Sequence, residues 1–121
     1  MKDKQIKKYS RERFAWWVHW LGLGYGDISL EFAEYVEDSE SSWIDKDVAG
    51  VCRTDWRYQE THIILAMNKF RELNKKSIEE VIVHELMHVF LNEMREDGID
   101  HEERVATSLQ KAFLWVRNAN K

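Results

Sequence analysis

The chain has no proline, and only five glycines occur in its 121 residues. Long structureless linkers lean on those two residue types, so one uninterrupted domain over residues 1–121 is expected. Cysteine occurs once, as Cys52, which excludes an intramolecular disulfide and gives no sign of an oxidising compartment. The opening MKDKQIKKYS lacks the apolar centre of a signal sequence, and no apolar run approaches membrane-spanning length. The expectation is a soluble cytoplasmic protein with no membrane partner. Positive charge is short as well: 18 Lys and Arg against 22 Asp and Glu leave a net charge of −4. Binding nucleic acid by displacing its counterions needs a basic face, so no nucleic-acid partner is expected. Lys2, Lys4, Lys7, Lys8, Arg11 and Arg13 do crowd the N-terminus, offset by Asp3 and Glu12. Residues 1–9 read as a basic, flexible, solvated tail.

Apolar spacing divides the rest into elements. Ser10 is placed to N-cap a helix running to about Leu21, with Phe14, Trp17, Val18 and Leu21 recurring at i, i+3, i+4 and i+7. Gly22, Gly24 and Gly26 end it. DISLEF (27–32) alternates and predicts a strand, and EDSESS (37–42) an acidic loop. GVCRTDWRY (50–58) alternates again, turns at Gln59–Glu60 and continues into THIILAM, which predicts a β-hairpin. Asn68–Asn74 suits a short helix. Ser77 with Glu80 three residues on is a capping box opening the next helix. Gly98 ends that segment. Asp100 is placed to cap a last helix, whose core stripe is Val105, Leu109, Ala112, Phe113 and Val116. The expected architecture is α+β: an N-terminal helix, a small three-stranded antiparallel sheet and two C-terminal helices.

One stretch does not fit a plain core helix. Residues 81–90 read VIVHELMHVF, with polar groups only at His84, Glu85 and His88. On a helix, positions i and i+4 share a side one turn apart, so the two imidazoles can converge on one ion. Zn²⁺ takes imidazole nitrogen readily; a catalytic site uses three protein ligands and leaves a fourth position for water. Glu85 follows the first histidine, so its carboxylate reaches that water without occupying the ion. Zinc lowers the water's pKa toward neutrality, and Glu85 can take the proton.

A third ligand must come from elsewhere. Met94 stands where extended HExxH patterns carry a third histidine, which leaves HEERVATSLQKAF (101–113). Periodicity puts Glu102 near the middle of the apolar face and Glu103 on its flank. A carboxylate among apolar groups needs a reason such as a metal. His84 and His88, however, also lie off the greasiest side of their own helix, so a flank position is no handicap. Glu103, Glu102 and His101 all stay open on these grounds.

HELMH followed by a glutamate on the next helix resembles the gluzincin arrangement. The compact chain resembles the small phage- and prophage-encoded metallopeptidases related to the ImmA/IrrE group. The resemblance covers most of the chain, though its motifs lie between Val81 and Phe113. It implies a minimal zincin-like domain holding Zn²⁺. In the second motif of that group, Glu-x-x-Ala-Asn-x-Phe, Glu103 takes the ligand place, Ala106 the alanine and Leu109 the phenylalanine. Phe113 and Leu114 follow as the later apolar pair. Thr107 stands where asparagine is expected.

Two functions are therefore carried forward. The first is a zinc-dependent metallopeptidase acting on a protein or peptide substrate, with Glu85 as general base. The second is a non-catalytic, zinc-stabilised binding or regulatory module of phage or prophage origin. Tyr25, Tyr58, His62 and His101 are the residue types able to stabilise an oxyanion, and spacing selects none of them. His62 shares a strand face with Ile64 and Ala66, which favours a role in the sheet, and His19 is expected to face solvent. Six tryptophans are many for this length. Trp17 belongs to the first helix's core stripe, while Trp16 and Trp20 either pack under the sheet or the last helix near Trp115, or form a face for a protein partner.

Overall fold

The computed structural model describes residues 1–24, 27–37, 44–45, 48–55, 60–91 and 102–119. The first helix, α1, spans Asp3–Trp20. It begins seven residues before Ser10, so most of the stretch read as a flexible tail is helical. The reason is Ile6, which together with Trp17 is buried in the core; burying it extends the stripe upstream by about two turns. Gln5 Oε1 accepts a hydrogen bond from the Lys2 N–H (3.0 Å) and ties off the first turn. The basic side chains lie over apolar neighbours, Lys7 and Arg11 both reaching the Phe32 ring. The helix stops at Gly22, whose φ of +72° is the left-handed conformation glycine adopts without strain. Its N–H donates to the His19 carbonyl and that of buried Leu23 to the Val18 carbonyl, the paired bonds of a Schellman cap.

Ser10 is therefore no cap. It is fully buried mid-helix, and its hydroxyl has no hydrogen-bond partner. An unpaired buried polar group costs about 1–3 kcal/mol. Ser10→Ala is accordingly expected to raise stability by about 1 kcal/mol, read from urea unfolding; a loss of stability would contradict this account.

Strand β1 covers Asp27–Ala33, and a two-residue pair, β2 (Val36–Glu37) and β3 (Ile44–Asp45), follows. Strands β4 (Gly50–Asp55) and β5 (Glu60–Ala66) form the expected antiparallel hairpin. The three-stranded sheet has the order β1-β5-β4, and β1 runs parallel to β5. The sheet is thus mixed, not antiparallel. The hairpin's second strand has slotted between β4 and β1, which themselves run in opposite directions. That gives the inner place to the most apolar strand, where Ile63, Leu65 and Ala66 are wholly buried, and leaves β4 at an edge. On the face opposite Ile63 and Leu65, His62 Nδ1 and Ser29 Oγ lie 2.6 Å apart across the β1–β5 register, so His62 has the sheet role expected of it.

A four-residue helix, α2 (Met67–Phe70), leads from β5 toward α3 (Lys75–Leu91). Asn74, not Ser77, caps α3: its Oδ1 accepts from the Ser77 N–H at 2.8 Å. Just after α2, Arg71 donates through Nε and Nη2 to both Asp3 carboxylate oxygens (3.0 Å each) and through its Nη atoms to Glu34. These hydrogen bonds hold the Asp3 and Glu34 carboxyls below the usual carboxylate range. The start of α1 and the end of β1 are thereby clamped to one guanidinium. Ile78, Ile82, Val83, Leu86 and Met87 of α3 fill the core beneath the sheet.

The last helix, α4, spans Glu102–Ala119. Its expected core stripe is turned aside. Ala106 is fully buried and Leu109, Phe113 and Leu114 are half-buried, but Val105, Ala112 and Val116 are exposed. The cause is polar pairing: Glu102, Gln110 and Arg117 all find partners on α3 and roll the helix toward them. Around Trp17 the helices share one buried carboxylate, Glu79. It accepts from Trp17 Nε1 (3.0 Å) and from Arg117, with Arg13 at 3.8 Å. Trp16 stacks on Trp20 (centroids 5.8 Å apart) and lies half-buried against the core, whereas Trp20 and Trp115 are exposed. His19 faces solvent, as expected. Among the described residues no helix is long and apolar enough to cross a membrane.

Candidate metal centre

Helix α3 is apolar nearly all round because it lies between the sheet, α1 and α4. Two of its polar side chains, His84 and His88, point together toward α4, as the four-residue spacing dictates. Their Nε2 atoms lie 3.3 Å apart. His88 is buried and His84 partly so. Glu85, between them in sequence, is buried too, and the ligand atoms of His84, Glu85 and His88 lie within 4.8 Å of one another. This His–Glu–His cluster can hold a metal ion.

The carboxylate nearest the two rings comes from the next helix. Glu103 Oε2 lies 2.9 Å from His84 Nε2, and its Oε1 lies 2.8 Å from His88 Nε2. Its side chain is otherwise 76% exposed, so a long acidic side chain bends from solvent to this one point. Glu102 goes elsewhere: its Oε2 is 3.0 Å from Nδ1 of His88. Gln110 Oε1 takes the corresponding place at Nδ1 of His84, also at 3.0 Å, with Thr107 Oγ1 behind it at 3.5 Å. Each ring thus meets Glu103 through Nε2 and another α4 side chain through Nδ1.

Glu102 and Glu103 have separated into two roles that periodicity alone left open. Adjacent residues on a helix point about 100° apart, so a single roll of α4 decides which carboxylate meets the Nε2 pair. Gln110 was missed in the sequence. Its only signal is spacing, seven residues (two turns) beyond Glu103 and so on the same side. His101, Tyr25 and Tyr58 lie outside the described residues, as do Asp100 and Gly98 at the expected ends of these helices.

Gly50 opens edge strand β4 directly beside the cluster. A Cβ there would sit 3.3 Å from Cγ of Glu85 and 3.2 Å from Cδ2 of Leu65, so glycine lets the strand approach the Glu85 side chain. The outer strand of the described sheet, β4, therefore begins next to the buried carboxylate. No protein-family model, curated protein or solved structure matches this chain.

Proposed function

We propose that this chain is a zinc-dependent metallopeptidase with a minimal zincin-like fold, hydrolysing peptide bonds in a protein partner. One observation carries the reading: the meeting of His84 Nε2, His88 Nε2 and both Glu103 oxygens within 2.8–3.3 Å. Both Nδ1 atoms face acceptor oxygens, an arrangement that suits a neutral ring carrying its proton there. The Nε2 lone pairs then point at each other and at a carboxylate. Four electron-rich atoms so close would then repel unless a proton or a metal cation lay among them. Two imidazoles and one carboxylate are the set of three protein ligands that a catalytic zinc site uses, with a fourth position open. Acidic residues with no metal function usually spread into solvent.

A zinc ion bound here would supply a Lewis acid and a water of near-neutral pKa. Glu85 would accept the proton of the water that attacks the peptide carbonyl and return it to the departing amine, so that acid and amine products balance the water consumed. Glu85 is itself buried, with Gly50 of β4 approaching its side chain, which keeps bulk water from it. As the outer strand of the described sheet, β4 would offer backbone groups to an extended peptide lying as a further strand beside Glu85. The resemblance to the ImmA/IrrE group points to a regulatory protein as the substrate.

Protein purified without chelator is expected to carry roughly one zinc per chain by elemental analysis. Glu103→Ala should abolish that binding, while Glu102→Ala should weaken it by about 10–100-fold, as loss of a group that only orients a ligand does. Metal-free wild type that takes up no zinc would end the proposal.

A further inference from the structure

Helix α4 does more at this site than deliver a ligand. It contacts the His84 ring at both nitrogens: Glu103 Oε2 at Nε2 (2.9 Å) and Gln110 Oε1 at Nδ1 (3.0 Å). An imidazole that turns over about its Cβ–Cγ bond exchanges the places of Nδ1 and its ring carbon, and that torsion is soft. A neutral imidazole also holds its single proton on either nitrogen, and only the bare one binds a metal. Something must select both the orientation and the tautomer. For His88 a buried setting and the Glu102 carboxylate can do so. His84 is more open, with a fifth of its side chain exposed, and has no carboxylate at Nδ1 among the contacts described. Thr107 Oγ1, at 3.5 Å, is at the limit of a hydrogen bond and is itself a donor as well as an acceptor. Gln110 Oε1 is nearer and accepts only.

We infer that Gln110 is the positioning residue for His84: its side-chain carbonyl holds the ring proton on Nδ1 and so presents a bare Nε2 toward Glu103 and His88. This rests on the metal-site reading above and adds a residue to it. The reason lies in one helix: Glu103 and Gln110 are seven residues apart, so both act on one ring from two turns of α4. Any roll of the helix that brought Glu103 to Nε2 brought Gln110 toward the other end.

The test compares wild type with Gln110→Leu and Gln110→Glu. Long-range ¹H–¹⁵N NMR of metal-free protein at pH 8, where an ordinary imidazole is neutral, reports the His84 tautomer directly. Zinc affinity is read by competition with a chromogenic chelator. Wild type should show the Nδ1–H form. Gln110→Leu should populate the Nε2–H form and bind zinc about tenfold more weakly, the low end for lost orienting groups because water can replace part of the contact. Gln110→Glu keeps an acceptor and should restore the Nδ1–H form, which a merely space-filling role would not predict. A leucine variant with unchanged tautomer and zinc affinity within about twofold of wild type, well below the 10–100-fold expected for such groups, would overturn the inference. Failure of wild type to bind zinc would instead strike the metal-site reading, with the tautomer comparison still deciding the role of Gln110.

Discussion

Glu85→Gln is expected to retain zinc at the wild-type stoichiometry and to lower peptide hydrolysis by about 10²–10⁴-fold, the range that a positioned general base supplies. Glutamine has the same shape as glutamate, so the close contact with Gly50 survives and the fold should be undisturbed. What is lost is the ability to accept a proton from water. Hydrolysis is best read by mass spectrometry on a library of unstructured peptides, and zinc by elemental analysis of the same samples. Residual activity equal to wild type would remove Glu85 from the mechanism. Zinc-loaded wild type that cleaves nothing, with the metal raising its melting temperature, would favour the binding-module reading, for which the exposed Trp20 offers a contact surface.

The second large effect concerns the fold. Glu79→Ala is expected to cost about 3 kcal/mol in urea unfolding, since removing one partner of a buried ion pair costs about 3–5 kcal/mol. The low end applies because Arg13 keeps 32% of its side chain exposed, and water can take over its charge. Arg117 and the Trp17 indole N–H have no such escape: Arg117 is 16% exposed and Trp17 not at all. Both would be left facing an empty, desolvated space. A small domain with only about 5–15 kcal/mol of net stability would feel this strongly. A loss below about 1 kcal/mol would mean that the network only fills space.

Both predictions rest on groups of very different visibility in the sequence. The HELMH spacing exposes His84, Glu85 and His88 without any tertiary information, because four residues make almost one helical turn and nothing else is needed to align the rings. Glu79 gave no such sign. It sits on the same helix with ordinary spacing, and its importance comes from Trp17 and Arg117, which are 62 and 38 residues away. Between these extremes lies the HEER stretch. It announces an acidic helix start, and both its glutamates are used, but for different nitrogens.

The elements and the faces they bury were set by local pattern: alternation in DISLEF, the β4–β5 hairpin, and the long apolar helix carrying the two histidines. Ile6 was the exception in α1, since a run of lysines hid one core residue at helical spacing. Which strands became neighbours, and in which direction, depended on contacts across the whole chain, because a period of two reports a face and is silent about partners. The roll of α4 was likewise decided in three dimensions. Apolar spacing alone favoured the side with Val105 and Val116, but ion pairs and hydrogen bonds to Glu79, His84 and His88 outweighed two half-exposed valines. That rotation put Glu103 at the two Nε2 atoms and Gln110 behind His84. A linear chain can declare candidate ligands one turn apart; only packing chooses the side chain that meets them from another helix.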